Sequence, residues 1–464
     1  MKYTLIRGAT IVSMDPKIGI VEGGDILIGD DKIIAIDKHI DADNAEIVDA
    51  RGRFLIPGFI DSHRHVWESL LRNIATDWQG SQYFSGIRGQ LGRHFGPDEM
   101  YAASLIGVVE ALDVGITTVL DWAHNINSEE CADAAIQGLI DSGGRVVFAL
   151  GDSNDMWLPV SDVASNVALA HRIRRDVLSD DDALVTMAMA PRGPEYTTRD
   201  VTIKDIQLAR ELGLKMSIHV GNGAKLAANE TPVLILQEEN LLGPDMLFIH
   251  CNSSTDEELG IIKDAGSPPP SITPDSEVHF GLGWPAAGRL MNLGLRPSLG
   301  IDIVINAGGD MFGTFRSLAA MERGKQHEFS KGMPERLQMT SRDLLEMATI
   351  EGSRSLWMEN KIGTLSPGKQ ADIVLLKADT LHHTPVNNIY GSIALGSHAG
   401  DVDSVLVAGK WVKREGKLTA GVDRIRNLAL SALDRVFQKA HDAGEVGPAL
   451  GGEWFPKPYV RREA

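Results

Sequence analysis

The sequence predicts an α/β chain: a (β/α)8 barrel of the TIM type carrying a small β-sandwich domain built from both chain ends. Three observations predict it. Eight apolar runs recur through the middle of the chain, most of them separated by helical patterns. Those runs are nearly continuous in apolar residues, as strands buried on both faces must be. The two ends of the chain read differently, alternating apolar and polar residues with Gly and Asp at the breaks, the pattern of short strands joined by tight turns.

Taken in order, TLIRGATIVSM, GDILIGDDKIIAID and AEIVDARGRFLI supply the N-terminal strands. The barrel strands then read FLIPGFID, ITTVLD (116–121), RVVFALG (145–151), ALVTMAMA (183–190), LKMSIHV (214–220), MLFIHC (246–251), PSITP (270–274) and RPSLGID (296–302). Helical patterns at 98–114, 129–142, 160–178 and 202–212 separate them. The spacer between the fifth and sixth strands is long and leaves room for a lid or insertion. ADIVLLKAD and DSVLVAGKWVKREGKL return to the strand–turn–strand pattern, and 423–442 reads as a terminal amphipathic helix. The expected boundaries are 1–56 and 359–420 for the two parts of the sandwich, 57–358 for the barrel and 421–464 for a C-terminal helix and tail.

Composition narrows the partners. With 43% hydrophobic residues the 464-residue chain holds enough apolar matter for a substantial core. A formal net charge of −18 argues against binding a phosphate backbone and points to a small-molecule substrate, with no nucleic acid partner. Two cysteines, Cys131 and Cys251, exclude a disulfide framework. MKYTLIRGATIVSMD lacks the uninterrupted apolar core of a signal peptide, and no run of about 18 apolar residues marks a membrane span. A reducing, cytoplasmic setting without a membrane partner is expected.

The chemistry collects at the strand ends. His63 and His65, in PGFIDSHRH, lie two apart at the end of the first barrel strand, so both imidazoles face one side. That side is the barrel mouth, where enzymes of this architecture keep their sites. His219 closes the fifth strand, His250 the sixth and Asp302 the eighth. A single histidine is most often a hydrogen-bonded core or surface residue. Five metal-competent side chains at four strand ends instead point to a metal site, since converging imidazoles and a carboxylate are costly in an apolar setting without a cation.

PGFIDSHRH resembles the PGxxxxHxH signature of the amidohydrolase superfamily, and ENKIGTLSPGKQADIVLL resembles the segment that leads its members into the C-terminal β-domain. GITTVLD and VLVAGKWVKREGKL are similar to further landmarks, so the resemblance spans residues 3–420. It is nearest the branch of triazine hydrolases, cytosine deaminase and adenosyl-derivative deaminases, and within it hydrolases of phenylurea and thiocarbamate herbicides. The resemblance implies His63, His65, His219 and Asp302 as metal ligands and His250 as the catalytic or substrate-orienting histidine. The fourth strand lacks the lysine that a second metal needs, so one divalent ion is expected, Zn2+ first and Fe2+ second. A bound cation acidifies a water, Asp302 takes the proton and later delivers it to the leaving group, and His250 polarises the substrate. The resemblance also implies a homo-oligomer.

One departure bears on the reaction. The branch carries HxxE after the fifth strand, whereas this chain reads His219-Val220-Gly221-Asn222. An amide cannot shuttle a proton at neutral pH, which weighs against ring deamination. The substrate is then an amide, urea, carbamate or thiocarbamate, or another acid substitutes. TPDSEVHFGLGWP offers Glu277 and His279, two apart and on one face if the segment is extended; the alternative places both in solvent on a loop. His124 and Trp67 are further candidates for substrate contact, and Trp78, Tyr83 and Phe84 either wall an apolar pocket or pack. Arg64 and Cys251 point away from the site by strand alternation. The readings in order are a mononuclear metal-dependent hydrolase of non-peptide carbon–nitrogen bonds, an aminohydrolase of a nitrogen heterocycle, and a non-catalytic binding relative.

Overall fold

The structure is a computed structural model that describes residues 2–153, 160–222 and 231–445. Eight parallel strands run in sequential order: Phe59–Arg64, Ile116–Ala123, Arg145–Leu150, Val185–Met189, Met216–Val220, Met246–His250, Ser271–Ile272 and Ser298–Leu299. Every residue of the first three is buried, as their apolar runs require. The ring closes between the last and first strands: Asp302 N–H donates to the His63 carbonyl at 2.8 Å and His65 N–H to the Asp302 carbonyl at 2.7 Å. Closure therefore clamps the site residues to one another through backbone hydrogen bonds.

The seventh and eighth strands are shorter than the sequence predicts, two residues each. Pro268, Pro269 and Pro270 precede one and Pro297 the other, and proline donates nothing to a ladder. Side chains replace part of the missing ladder: Ser62 Oγ meets Ser271 Oγ at 2.7 Å and Ser298 Oγ at 2.8 Å inside the barrel.

The helices Pro97–Asp113, Glu129–Ser142 and Arg199–Glu211 match their predicted spans to within a few residues. The helix expected over 160–178 starts only at Val167, because Asn166 caps it by accepting the Leu169 N–H at 3.0 Å. The spacer between the fifth and sixth strands holds a helix at Pro232–Glu238; residues 223–230, the rest of the expected lid, lie outside the described residues.

Both chain ends share one mixed nine-stranded sheet. Arg53–Pro57 pairs in parallel with Tyr3–Val12 and antiparallel with Ile373–Lys377, which joins the N-terminal strands to the C-terminal ones. The sheet encloses its own apolar core, including Ile6, Ile26, Leu55, Ile373 and Leu406. Arg145 at the start of the third barrel strand makes a bidentate, buried pair with Asp372 at 2.8 and 3.0 Å, tying barrel to sandwich. The terminal helix, Val422–Asp442, buries Ile425, Ala429, Ala432, Val436 and Ala440 along one stripe. Its Arg435 and Lys439 pair with Glu99 of the helix Pro97–Asp113.

Candidate active site

The carboxyl ends of the strands bring together the residues the sequence singled out. His63 Nε2 lies 3.3 Å from Asp302 Oδ1, His65 Nε2 lies 3.4 Å from the same oxygen, and His219 Nε2 lies 3.2 Å from His63 Nε2. Asp302 Oδ2 is held separately by the Ser276 hydroxyl at 2.5 Å, which fixes the carboxylate plane. Asp302 and His250 both adopt left-handed backbone conformations, with φ of 65° and 71°. Such φ values are uncommon for these residues and turn the chain sharply at the strand end, aiming the side chain into the mouth.

These spacings fit a cation. Ligands about 2.0–2.1 Å from a tetrahedral ion stand about 3.3 Å from one another, which matches the His63–Asp302, His65–Asp302 and His63–His219 separations. Protonation agrees. His65 Nδ1 donates to the Trp122 carbonyl at 2.9 Å, so its Nε2 carries a free lone pair. Burial lowers the proton affinity of His63, His65 and His219, and for His65 and His219 the neighbouring imidazoles lower it further, so these rings are neutral. Asp302 moves the other way: burial opposes ionisation, but His63, the charge on His250 and the Ser276 hydroxyl outweigh it and lower its pKa. Three neutral imidazoles and one carboxylate form a donor set suited to a divalent transition ion.

His250 is built as a donor. Its Nδ1 lies 3.0 Å from Thr273 Oγ1 and 3.2 Å from Glu277 Oε1. Glu277 is fully buried and also accepts the Thr273 N–H at 2.8 Å and the Asn252 side chain at 3.1 Å. Burial disfavours the imidazolium, yet the Glu277 hydrogen bond and the nearby Asp302 and Glu195 carboxylates win, and the pKa of His250 is raised. Glu277 and His279 do not share a face. The segment Pro274–His279 is a helical turn and not extended chain, so residues two apart diverge: Glu277 turns in to His250 while His279 is exposed.

The remaining candidates fall into place around this centre. Trp67 is buried, stacks edge-on against Phe95 and donates its indole N–H to His124 Nε2 at 3.3 Å. His124 in turn packs its ring 4.0 Å from that of His65. Trp67 therefore reaches His65 through His124. Asn222 is buried and donates its amide to the Tyr196 hydroxyl. Arg64 points away from the histidines and is buried between Asp61, at 2.7 Å, and Glu110, at 3.1 Å. Cys251 is a buried free thiol whose pKa burial raises.

Two carboxyls at this end of the barrel escaped the sequence reading. Glu68 is buried one turn after His65, accepts the Tyr83 hydroxyl at 2.8 Å, and burial pushes its pKa up to about 8. Its place in HRHVWE was the available signal. Glu195 follows the fourth strand, is buried, and accepts the Gly221 N–H at 2.7 Å. Its signal was a lone carboxylate in the loop after a strand read only for a missing lysine.

A parallel (β/α)8 barrel whose strand ends carry two metal-competent triads sharing His63, one with His65 and Asp302 and one with His219 and His250, fits the class of metal-dependent barrel hydrolases. Comparison with known proteins agrees, and the chain belongs to the amidohydrolase family, whose model matches residues 54–412. The 5′-deoxyadenosine deaminase of Methanothermobacter thermautotrophicus is 25% identical over 424 residues, 89% of this chain and 94% of that protein. Among solved structures, the atrazine chlorohydrolase of Arthrobacter aurescens TC1 complexed with zinc superposes with a TM-score of 0.79 at 22% identity, covering 93% of this chain and all of that one. An adenosine deaminase of Xanthomonas campestris with bound zinc gives 0.78 at 20% identity, covering 94% and 98%. At these identities the structural likenesses establish the fold. Among the described residues no helix is long and apolar enough to cross a membrane.

Proposed function

We propose that the protein is a mononuclear hydrolase that cleaves a carbon–nitrogen or related amide, urea, carbamate or thiocarbamate bond of a small molecule with activated water. The observation that carries this reading is the convergence of His63, His65, His219 and Asp302 from three strand ends, with contacts of 3.2–3.4 Å from His63 and His65 to Asp302 and from His219 to His63. These four residues hold the ion, Zn2+ in the first instance and Fe2+ in the second. When bound, such an ion lowers the pKa of a coordinated water from about 15.7 towards ~7.

The chain's own groups do the rest. Asp302, ionised and steadied by Ser276, takes the water's proton. His250, held by Glu277 and Thr273, directs its Nε2 side to the substrate and donates to the oxygen or ring nitrogen on which charge develops. Glu277 is thus a positioning residue for His250, with its oxygens engaged by Thr273 and Asn252. His124, backed by Trp67, lines the centre beside His65.

A second reading, removal of ammonia from a nitrogen heterocycle, is favoured by curated relatives about 25% identical over nearly the whole chain that are deaminases of adenosine derivatives. Asn222, whose amide is engaged with Tyr196, weighs against it. Ammonia release on purines, pyrimidines and triazines, run beside hydrolysis of anilides, phenylureas and thiocarbamates, separates the two. Less than about half an equivalent of tightly bound transition metal in the purified protein would refute both. A homo-oligomer in a reducing, cytoplasmic compartment completes the proposal; the two buried free thiols are in keeping with it.

A further inference from the structure

The resemblance gives Asp302 both proton transfers, from the water and to the leaving group. Asp302 accepts a proton from water, and His250 donates to the atom that gains charge. Breaking the C–N bond sends its electron pair to nitrogen, and an amine leaves readily only if that nitrogen is protonated as the bond breaks. Asn222 stands beside the fifth strand end but has no titratable proton.

Glu195 stands in the same place with one. It is 4% exposed, and its Oε1 is fixed by the N–H of Gly221, two residues beyond His219 and adjacent to Asn222. Its Oε2 is buried with no hydrogen-bond partner. A carboxylate serving only to cap this loop would be expected to use both oxygens, since an unpaired buried polar atom costs about 1–3 kcal/mol. Glu195 also lies close enough to His250 for the two charges to act on each other. Neighbouring Tyr196 receives the Asn222 amide, which holds Asn222 against the same loop.

Resting on the hydrolase reading of the site, we propose that Glu195 is the proton donor to the departing nitrogen. The carboxyl Oε2–H bond breaks as the N–H bond forms, the C–N pair moves to nitrogen, and Glu195 is left as the carboxylate. The water proton held by Asp302 balances the books when it returns through solvent to reload Glu195. Burial keeps the group supplied, pushing its pKa up to about 7 against the pull of the Gly221 and Asn222 N–H groups and the His250 charge.

The test exploits leaving-group chemistry. Wild type and Glu195→Gln are compared, as metal-loaded enzymes, on 4-nitroacetanilide and 4-nitrophenyl acetate, and on the best anilide or phenylurea of the panel. Nitrophenolate needs no proton to leave; an aniline does. The expected result is a fall in kcat of about 10²-fold or more on the C–N substrates, a change under about fivefold on the ester, unchanged metal content, and a displaced alkaline limb of the pH–rate profile. Adding Asn222→Glu to Glu195→Gln restores part of the anilide rate. Equal losses on ester and anilide, or an unaltered alkaline limb, overturn the proposal and make Glu195 a structural cap. A wild type that holds metal but hydrolyses no C–N bond refutes the reading beneath it, a different outcome from a Glu195→Gln enzyme that keeps its amide rate.

Discussion

Among the described residues, histidine and aspartate gather in two regions, the barrel mouth and the outer sandwich, and the proposed cation site is the inner one. At the barrel mouth, His63, His65 and Asp302 bring ligand atoms together in full burial. On the C-terminal part of the sandwich, His382, His398 and Asp401 do the same, with His382 Nε2 3.0 Å and His398 Nε2 3.6 Å from Asp401 Oδ2. Distance alone does not tell them apart; the far side of each ring does. His65 Nδ1 faces a carbonyl, so the proton sits there and Nε2 is free. His398 Nδ1 accepts the Gly400 N–H at 3.1 Å, so its proton sits on Nε2, facing Asp401. The outer group is satisfied as a hydrogen-bonded latch on an exposed turn. In the inner group the His65 Nε2 lone pair faces Asp302 and His63. For His65 and His398 the second hydrogen bond, more than the clustering, separates the two sites.

That contrast can be broken most sharply by truncating each cluster. His63→Ala or Asp302→Ala is expected to lower turnover about 10³-fold or more and to release the metal, whereas His398→Ala changes turnover less than twofold and leaves the metal in place. Metal analysis and kcat of the three variants check this; near-normal turnover in either barrel variant means the ligands are misassigned.

A smaller effect is expected one step behind the centre. Glu277→Gln keeps the neutral hydrogen bonds but removes the charge beneath His250, and should lower kcat roughly 10–100-fold with metal retained. The alkaline limb of the pH–rate profile should move to lower pH as well, since Glu277 is among the groups that raise the pKa of the donor His250. An unchanged limb would show that His250 is oriented without electrostatic help.

Asn222→Glu sharpens the comparison from the substrate side. The variant is expected to bind metal as the parent does and to gain ammonia release from heterocycles, measured by a coupled ammonia assay. Loss of metal would place residue 222 in the ligand set and contradict its assignment.

The smallest effect is on stability. Glu195 is protonated in the folded state up to about pH 7 but only to about pH 4.5 when unfolded. The folded state thus binds the extra proton between those values, and its stability falls as pH rises through that window and is level above it. Glu195→Gln removes this slope. Denaturant melts of both proteins at pH 5 and pH 8 should show the wild type losing up to about 3 kcal/mol relative to the variant; parallel pH dependence would mean Glu195 is ionised throughout.

The legible part of the fold was the part written in period. Apolar runs gave the first six barrel strands, and alternation gave the outer strands, because burial on two faces or one leaves its mark residue by residue. Strand ends in turn located His63, His65, His219, His250 and Asp302. Where proline interrupts the ladder, pattern overestimated the length, as at Ser271–Ile272 and Ser298–Leu299. Where a short helix replaced extended chain, it misjudged a face, as with Glu277 and His279.

What the sequence by itself determined was the barrel, the sandwich from both ends and the identity of the residues around the centre, since these follow from periodicity and from which side chains close each strand. Only the tertiary structure decided that Glu277 serves His250, that Trp67 stands behind His124, and that Glu195 reaches the loop after His219. Each of those contacts joins residues 25 or more apart, or turns on a local helix or a left-handed φ, and a hydrogen bond across that distance leaves no period in the chain to read.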